Sequence, residues 1–115
     1  MPENPEGVVL SIEEFKKVRL VVGRVVEVRD HPSADRLYIL KVDLGAGKVR
    51  QIVAGLKGRI PLDEIKDRLV VVVENLKPAV LRGERSEGMI LAAIDGDKLA
   101  LVTTHKDVAP GSGIA

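Results

Sequence analysis

The sequence predicts an all-β protein built on a five-stranded barrel. Apolar residues recur with a period of two and are rich in valine, as half-buried strands require. Turn chemistry interrupts the pattern at Asp30–Asp35, Gly45–Gly47 and Asp95–Asp97. Only two stretches read as helical, and both are short. At 115 residues, the chain has room for one domain with a small appendage.

Residues 1–10 carry two prolines and a glycine and read as a flexible extended arm, leaving 11–115 as the domain. Ser11-Ile12-Glu13-Glu14 matches a capping box, with Ser11 as N-cap and Glu14 reaching back, so a short helix through Phe15 and Lys17 is expected. The first strand begins at Val18, with Val18, Leu20, Val22, Val26 and Val28 on one face and Arg19, Glu27 and Arg29 on the other. Gly23 falls inside it, where glycine weakens a strand unless it permits a bend or a close approach. The second strand runs from Leu37 to Leu44 and turns at Gly45-Ala46-Gly47 into a third, Val49 to Val53. Gly55, Gly58 and Pro61 punctuate a connection with one helical piece near Leu62–Lys66. The fourth strand is Leu69–Val73 and the fifth is Met89–Ile94, which turns at Asp95-Gly96-Asp97 and returns through Leu99–Thr103.

Five strands with one short helix between the third and fourth is the layout of an OB-fold barrel. The N-terminal helix and the C-terminal hairpin are additions to it. They carry apolar residues of their own (Ile12, Phe15, Leu99, Leu101, Val102), which points to a homodimer contact, since a barrel of this size has a limited core.

Composition narrows the chemistry. The absence of cysteine excludes disulfides and thiolate zinc sites, and His31 and His105 lack ligand spacing, so no metal or cofactor is expected. No apolar run approaches the roughly 18 residues of a membrane span, and the acidic, polar N-terminus is not a signal peptide. A cytoplasmic protein fits. One glutamine and two asparagines against 30% charged residues suits a thermophile. No nucleophile elbow or phosphate-binding glycine loop appears, and Gly45-x-Gly47 sits in a hairpin rather than before a helix. His31 lacks a neighbouring nucleophile, and a loop histidine more commonly stabilises a turn, so no catalytic residue is assigned and an enzyme is not expected.

Binding has more support. The net charge of +1 hides an uneven distribution, because residues 36–59 hold six cations and one acid. Such a basic block suits an anionic partner, although solvated strand faces are the usual place for charge. The connection after the fourth strand adds Asn75, Lys77, Arg82, Arg85 and Ser86 between two buried strands, and loops of this kind are where binding residues concentrate. Lysine and arginine neutralise phosphates and release counterions, and arginine forks a phosphate with two hydrogen bonds. Asn75 suits either an RNA contact or a turn that bonds its own backbone. Aromatics are scarce: Phe15 and Tyr38 are the only two. They cannot form the stacking platforms of single-strand binders, so a folded RNA met through backbone and shape is the expected target.

Val21-Val22-Gly23-Arg24-Val25, His31-Pro32-Ser33-Ala34-Asp35-Arg36-Leu37-Tyr38, Val42-Asp43-Leu44-Gly45, Arg50-Gln51-Ile52-Val53-Ala54-Gly55-Leu56, Asn75-Leu76-Lys77-Pro78 and Ser86-Glu87-Gly88-Met89 occur in this order. Together they resemble the tRNA-binding domain at the C-terminus of many methionyl-tRNA synthetases, from about Phe15 to the end of the chain. Similar domains occur in synthetase-associated cytokine precursors and as free-standing tRNA-binding proteins, and a chain of this length looks like the free-standing, beta-subunit form. The resemblance implies a non-catalytic OB-fold that binds tRNA by its structure, commonly as a homodimer, with methionyl-tRNA synthetase as a further partner. It places recognition at Arg36, Arg50, Asn75, Lys77, Ser86 and Met89, to which charge adds Lys41, Arg82 and Arg85. Met89 also reads as a buried strand residue that shapes the loop. Ala54 departs from the pattern, since many members have serine there. A related branch resembles an export chaperone, which leaves a protein-binding module as the alternative function.

Overall fold

The longest strand organises the molecule. In the computed structural model, which describes residues 7–115, strand β1 (Leu20–Asp30) has two partners in succession. Its first half, Leu20–Arg24, pairs antiparallel with β4 (Leu69–Val73). Its second half, Arg24–Asp30, pairs with β2 (Tyr38–Asp43), which pairs in turn with β3 (Val49–Ala54). Two residues of β7 (Met89–Ile90) extend the sheet beyond β4, giving the order β3-β2-β1-β4-β7 in a nearly closed, OB-like barrel. The first six residues of the expected arm lie outside the described residues.

The interior holds Val21, Val25, Leu40, Val42, Ile52, Val70 and Val72, capped by Ile60, Ile65 and Ile90. The face of β1 that makes this core is not the one that strict alternation predicts. Val18 lies in the turn after the helix, and Val26 is exposed. A β-bulge is responsible. Val25 pairs with Val42 and Glu27 with Lys41, so Val26 is an extra residue that resets the phase and brings Val28 back to the core. Gly23 is a close-approach glycine. A Cβ there would sit 2.5 Å from Val42 Cγ1 and 3.0 Å from Leu44 Cδ2, so the missing side chain is what lets β2 pack across the strand.

The outer edge of β1 beside Leu20 and Val22 is filled by the C-terminal tail. Gly111 N–H donates to Val22 O at 2.7 Å, Val22 N–H to Ser112 O at 2.8 Å, and Ile114 N–H to Leu20 O at 3.2 Å. The tail passes so close to the β2–β3 turn that a Cβ on Gly45 would lie 2.5 Å from Pro110 O.

Helix α1 (Ile12–Phe15) starts with the expected capping box, both of its bonds being 3.1 Å. The piece between β3 and β4 is a single 3₁₀ turn over Leu62–Glu64, shorter than the stretch to Lys66 that its pattern suggests. Two further expectations need correction. The expected fifth strand, Met89–Ile94, breaks at Leu91, whose N–H donates to Val71 O. Beyond Leu91 the chain leaves the barrel as a separate hairpin of β8 (Ala92–Asp95) and β9 (Lys98–Leu101). The connection between β4 and β7 is not plain loop either, since it contains a hairpin of β5 (Ala79–Leu81) and β6 (Glu84–Ser86). Leu99 and Leu101 pack against the barrel core, so they attach the C-terminal hairpin rather than facing outward.

Gly23→Ala should destabilise the protein by about 1–3 kcal/mol, the usual cost of overpacking a filled core. Urea unfolding measures it, and a variant with the parent's midpoint would show that Val42 and Leu44 move aside freely.

Candidate nucleic-acid interface

Three segments converge at one side of the barrel: β3, the β5–β6 hairpin and the turn over residues 31–36. Their contacts are mainly polar. Ser86, only 5% exposed, accepts the Val53 N–H on its Oγ at 3.0 Å and donates to Gly88 O at 3.1 Å. Glu87 N–H donates to Gln51 O at 2.8 Å. Gln51 Nε2 donates to Arg85 O at 2.9 Å, and its Oε1 accepts from Lys41 Nζ at 2.9 Å. These bonds lay residues 85–88 along the free edge of β3, which would otherwise present unpaired backbone groups.

The same hairpin is pinned to the 31–36 turn. His31 is buried, and its Nδ1 accepts the Ser33 N–H at 3.0 Å, which assigns the ring proton to Nε2, donating to Leu81 O at 3.0 Å. Ser33 Oγ donates to Arg82 O at 3.3 Å, while Arg82 Nη2 donates back to Ser33 O at 3.2 Å. Arg82 adopts a left-handed φ of 52° at the hairpin tip and is followed by Gly83 at 89°, a tight turn that leaves the guanidinium at the surface.

The expected recognition residues therefore divide into two groups. Arg36, Lys77 and Arg82 are exposed, and among the described residues none has a carboxylate within salt-bridge distance. Arg85 is exposed too but leans on Glu87 at 3.7 Å. Met89 is 47% exposed, so it does not take the buried position open to a strand methionine.

The others have architectural partners. Arg50 Nη1 donates to Glu74 O at 2.7 Å and ties β3 to the end of β4. Asn75 accepts the Arg19 N–H at 2.8 Å and donates to Lys17 O at 2.6 Å, so it holds the entry to β1. Lys41 is engaged by Gln51, and Ser86 is sealed into the barrel seam. The parts that His31, Ser33 and Gln51 play in joining the segments were not assigned from sequence. The signal for them is His31-Pro32-Ser33, where an imidazole stands two residues before a free N–H. Tyr38 points inward, with its hydroxyl donating to Ile60 O at 3.1 Å, and offers no platform for a base.

A family model described as "Putative tRNA binding domain" matches residues 20–113. The methionine–tRNA ligase of Pyrococcus furiosus is 51% identical over 105 residues, covering 91% of this chain and 14% of that enzyme. The Helicobacter pylori methionine–tRNA ligase is 44% identical over 106 residues, covering 92% of this chain and 16% of the enzyme. The chain thus spans a small part of the curated relatives it matches. Among solved structures, the MetRS related protein from Pyrococcus horikoshii superposes with a TM-score of 0.88 at 30% identity, covering 94% of this chain and 99% of that one. The CsaA chaperone protein from Picrophilus torridus superposes with a TM-score of 0.85 at 28% identity, covering 93% and 100%.

Proposed function

Because this chain belongs to the tRNA-binding domain family, we propose that it recognises folded tRNA through phosphate backbone and shape and delivers it in trans for aminoacylation by methionyl-tRNA synthetase, in the cytoplasm and without catalysis of its own. One observation carries the mode of binding. The 31–36 turn and the β5–β6 hairpin are stapled together by the His31–Leu81 and Ser33–Arg82 bonds. OB-folds bind oligonucleotides with the loop after the first strand, the loop before the last barrel strand and the face between them. Here those two loops are bonded to each other and carry Arg36 and Arg82, with Lys77 just before the hairpin. Rigid cations suit a rigid RNA, and the buried Tyr38 leaves a single strand with electrostatic attraction alone.

Arg85 adds a half-neutralised charge, and Met89 adds an apolar contact at the edge of the same surface. Arg50, Asn75, Lys41 and Ser86 support binding by holding the frame. A protein-binding module is favoured by a different feature, the exposed Leu76, Val80 and Met89 beside these cations. Such binding would be largely insensitive to salt.

The protein acts as a homodimer in this reading. Ile12, Phe15, Val18, Leu20 and Ile114 line an apolar groove between α1 and the C-terminus. A second copy would cover it, with the outward Ile94 and Val102 of the C-terminal hairpin as the remaining contribution of that element.

Replacing Arg36 and Lys77 together by Ala, which leaves the Ser33–Arg82 bonds intact, should weaken binding of all tRNAs by a similar factor, since phosphate contacts position without reading sequence. In gel shifts, the parent's log–log salt slope should be on the order of −3 to −6, for about four to seven neutralised phosphates, and the variant's should be shallower. Parental affinity in the variant at moderate salt would place binding elsewhere. For the dimer, Phe15→Asp should give monomers by light scattering, and a monomeric parent at high concentration would remove the proposal.

A further inference from the structure

The basic block that begins at Arg36 does not end at the barrel edge. The connection after β3 carries Lys57 and Arg59 with no acid before Asp63. Lys57 Nζ meets Asp30 at 3.2 Å, which ties this connection to the end of β1 beside the 31–36 turn. The Tyr38 hydroxyl bond to Ile60 O, at 3.1 Å, is a second tie, formed two residues after Arg36 and next to Arg59. Arg59 thus lies on a segment bonded to the two strands, β1 and β2, that flank the turn carrying Arg36.

Beyond it, a cleft opens between the 3₁₀ turn and β9, lined by Arg59, Ile60, Glu64, Arg68, Leu99 and Leu101 among others. Arg68 Nε donates to Glu64 O at 3.0 Å, which orients the guanidinium and leaves both of its Nη groups without a protein partner among the described residues. Among the described residues neither Arg59 nor Arg68 has a carboxylate within salt-bridge distance, and Glu64 is the one acid in the lining. Two arginines on a partly apolar cleft suit an anion, and the tRNA reading makes that anion a backbone phosphate. The fork geometry fits phosphate oxygens in pairs, and an open cleft admits a polymer that continues past it.

We infer that Arg59 and Arg68 form a second phosphate site, separate from the hairpin surface, that takes a backbone phosphate of the same RNA. This rests on the tRNA reading above. The RNA track then leaves Arg82 and Arg36, crosses the 55–61 connection and ends under the C-terminal hairpin. A folded RNA that presents phosphates to both places at once gains from the two without an ordering cost.

Three variants test this with total tRNA, titrated between 50 and 200 mM salt: Arg59→Ala/Arg68→Ala, Glu64→Lys, and Arg36→Ala/Lys77→Ala. The arginine pair should weaken binding about fivefold to tenfold at the lower salt and make the log–log slope shallower by about 1 to 2. Glu64→Lys should tighten binding, and it keeps the test open if the double variant melts early. An Arg59→Ala/Arg68→Ala variant with the parent's affinity and slope, beside an Arg36→Ala/Lys77→Ala variant that has lost binding, overturns the second site and leaves the function standing. No gain from Glu64→Lys also counts against the site. If both double variants bind like the parent, the second site and the tRNA-binding surface fall together.

Discussion

The pairing of β1 with two strands in succession is the constraint on which the rest of the structure depends. In this nearly closed barrel β1 meets β4 with its first half and β2 with its second, and Arg24 is the residue shared by the two registers. The change needs help on both sides. Val26 bulges out, so the strand bends without losing its inward valines. Gly23 removes a side chain where Val42 and Leu44 cross. The C-terminal tail then fills the edge that β2 does not reach, which joins the two ends of the chain in one ladder.

Closing the other side explains why so many polar residues of these motifs have partners within the protein. An exposed β3 edge would leave backbone donors unpaired or invite a foreign strand. Ser86, Gln51 and Glu87 satisfy that edge, while Arg50 and Asn75 tie the ends of β4 to β3 and to the entry of β1. The seam then becomes a platform. The β5–β6 hairpin cannot drift, because its base is bonded to β3 and its tip to the 31–36 turn. A backbone fixed in this way needs little further ordering when a partner binds.

Most of the barrel is legible in the sequence, because period-two valine runs bounded by turn residues locate β1 to β4 within a few residues. The bulge is not legible. From Val18 to Val28 both faces carry valine and only Arg24 interrupts the even-numbered one, so nothing in side-chain chemistry marks Val26 as the extra residue. The β5–β6 hairpin escapes for a similar reason, since Ala79-Val80-Leu81 has no inward face and reads as loop. For the site, charge identifies Arg36 and Lys77, exposed cations with no carboxylate partner and no hydrogen bond to the frame among the described residues. It cannot distinguish them from Arg50, whose partners are backbone carbonyls, or from Lys41, held by the single glutamine. A polar residue's role depends on which backbone groups the fold leaves short of a bond, and that is settled only when the strands are in place.

The central claim is that this surface reads the folded shape of an RNA rather than its charge alone. The direct measurement is competition, at moderate salt, between intact tRNA and the same tRNA cut into fragments that no longer fold. The account predicts that intact tRNA competes far better than its fragments at equal nucleotide concentration, because a rigid cation array is matched only when phosphates are held at fixed positions. Equal competition by the two would mean generic polyanion binding and would contradict the structure-specific reading.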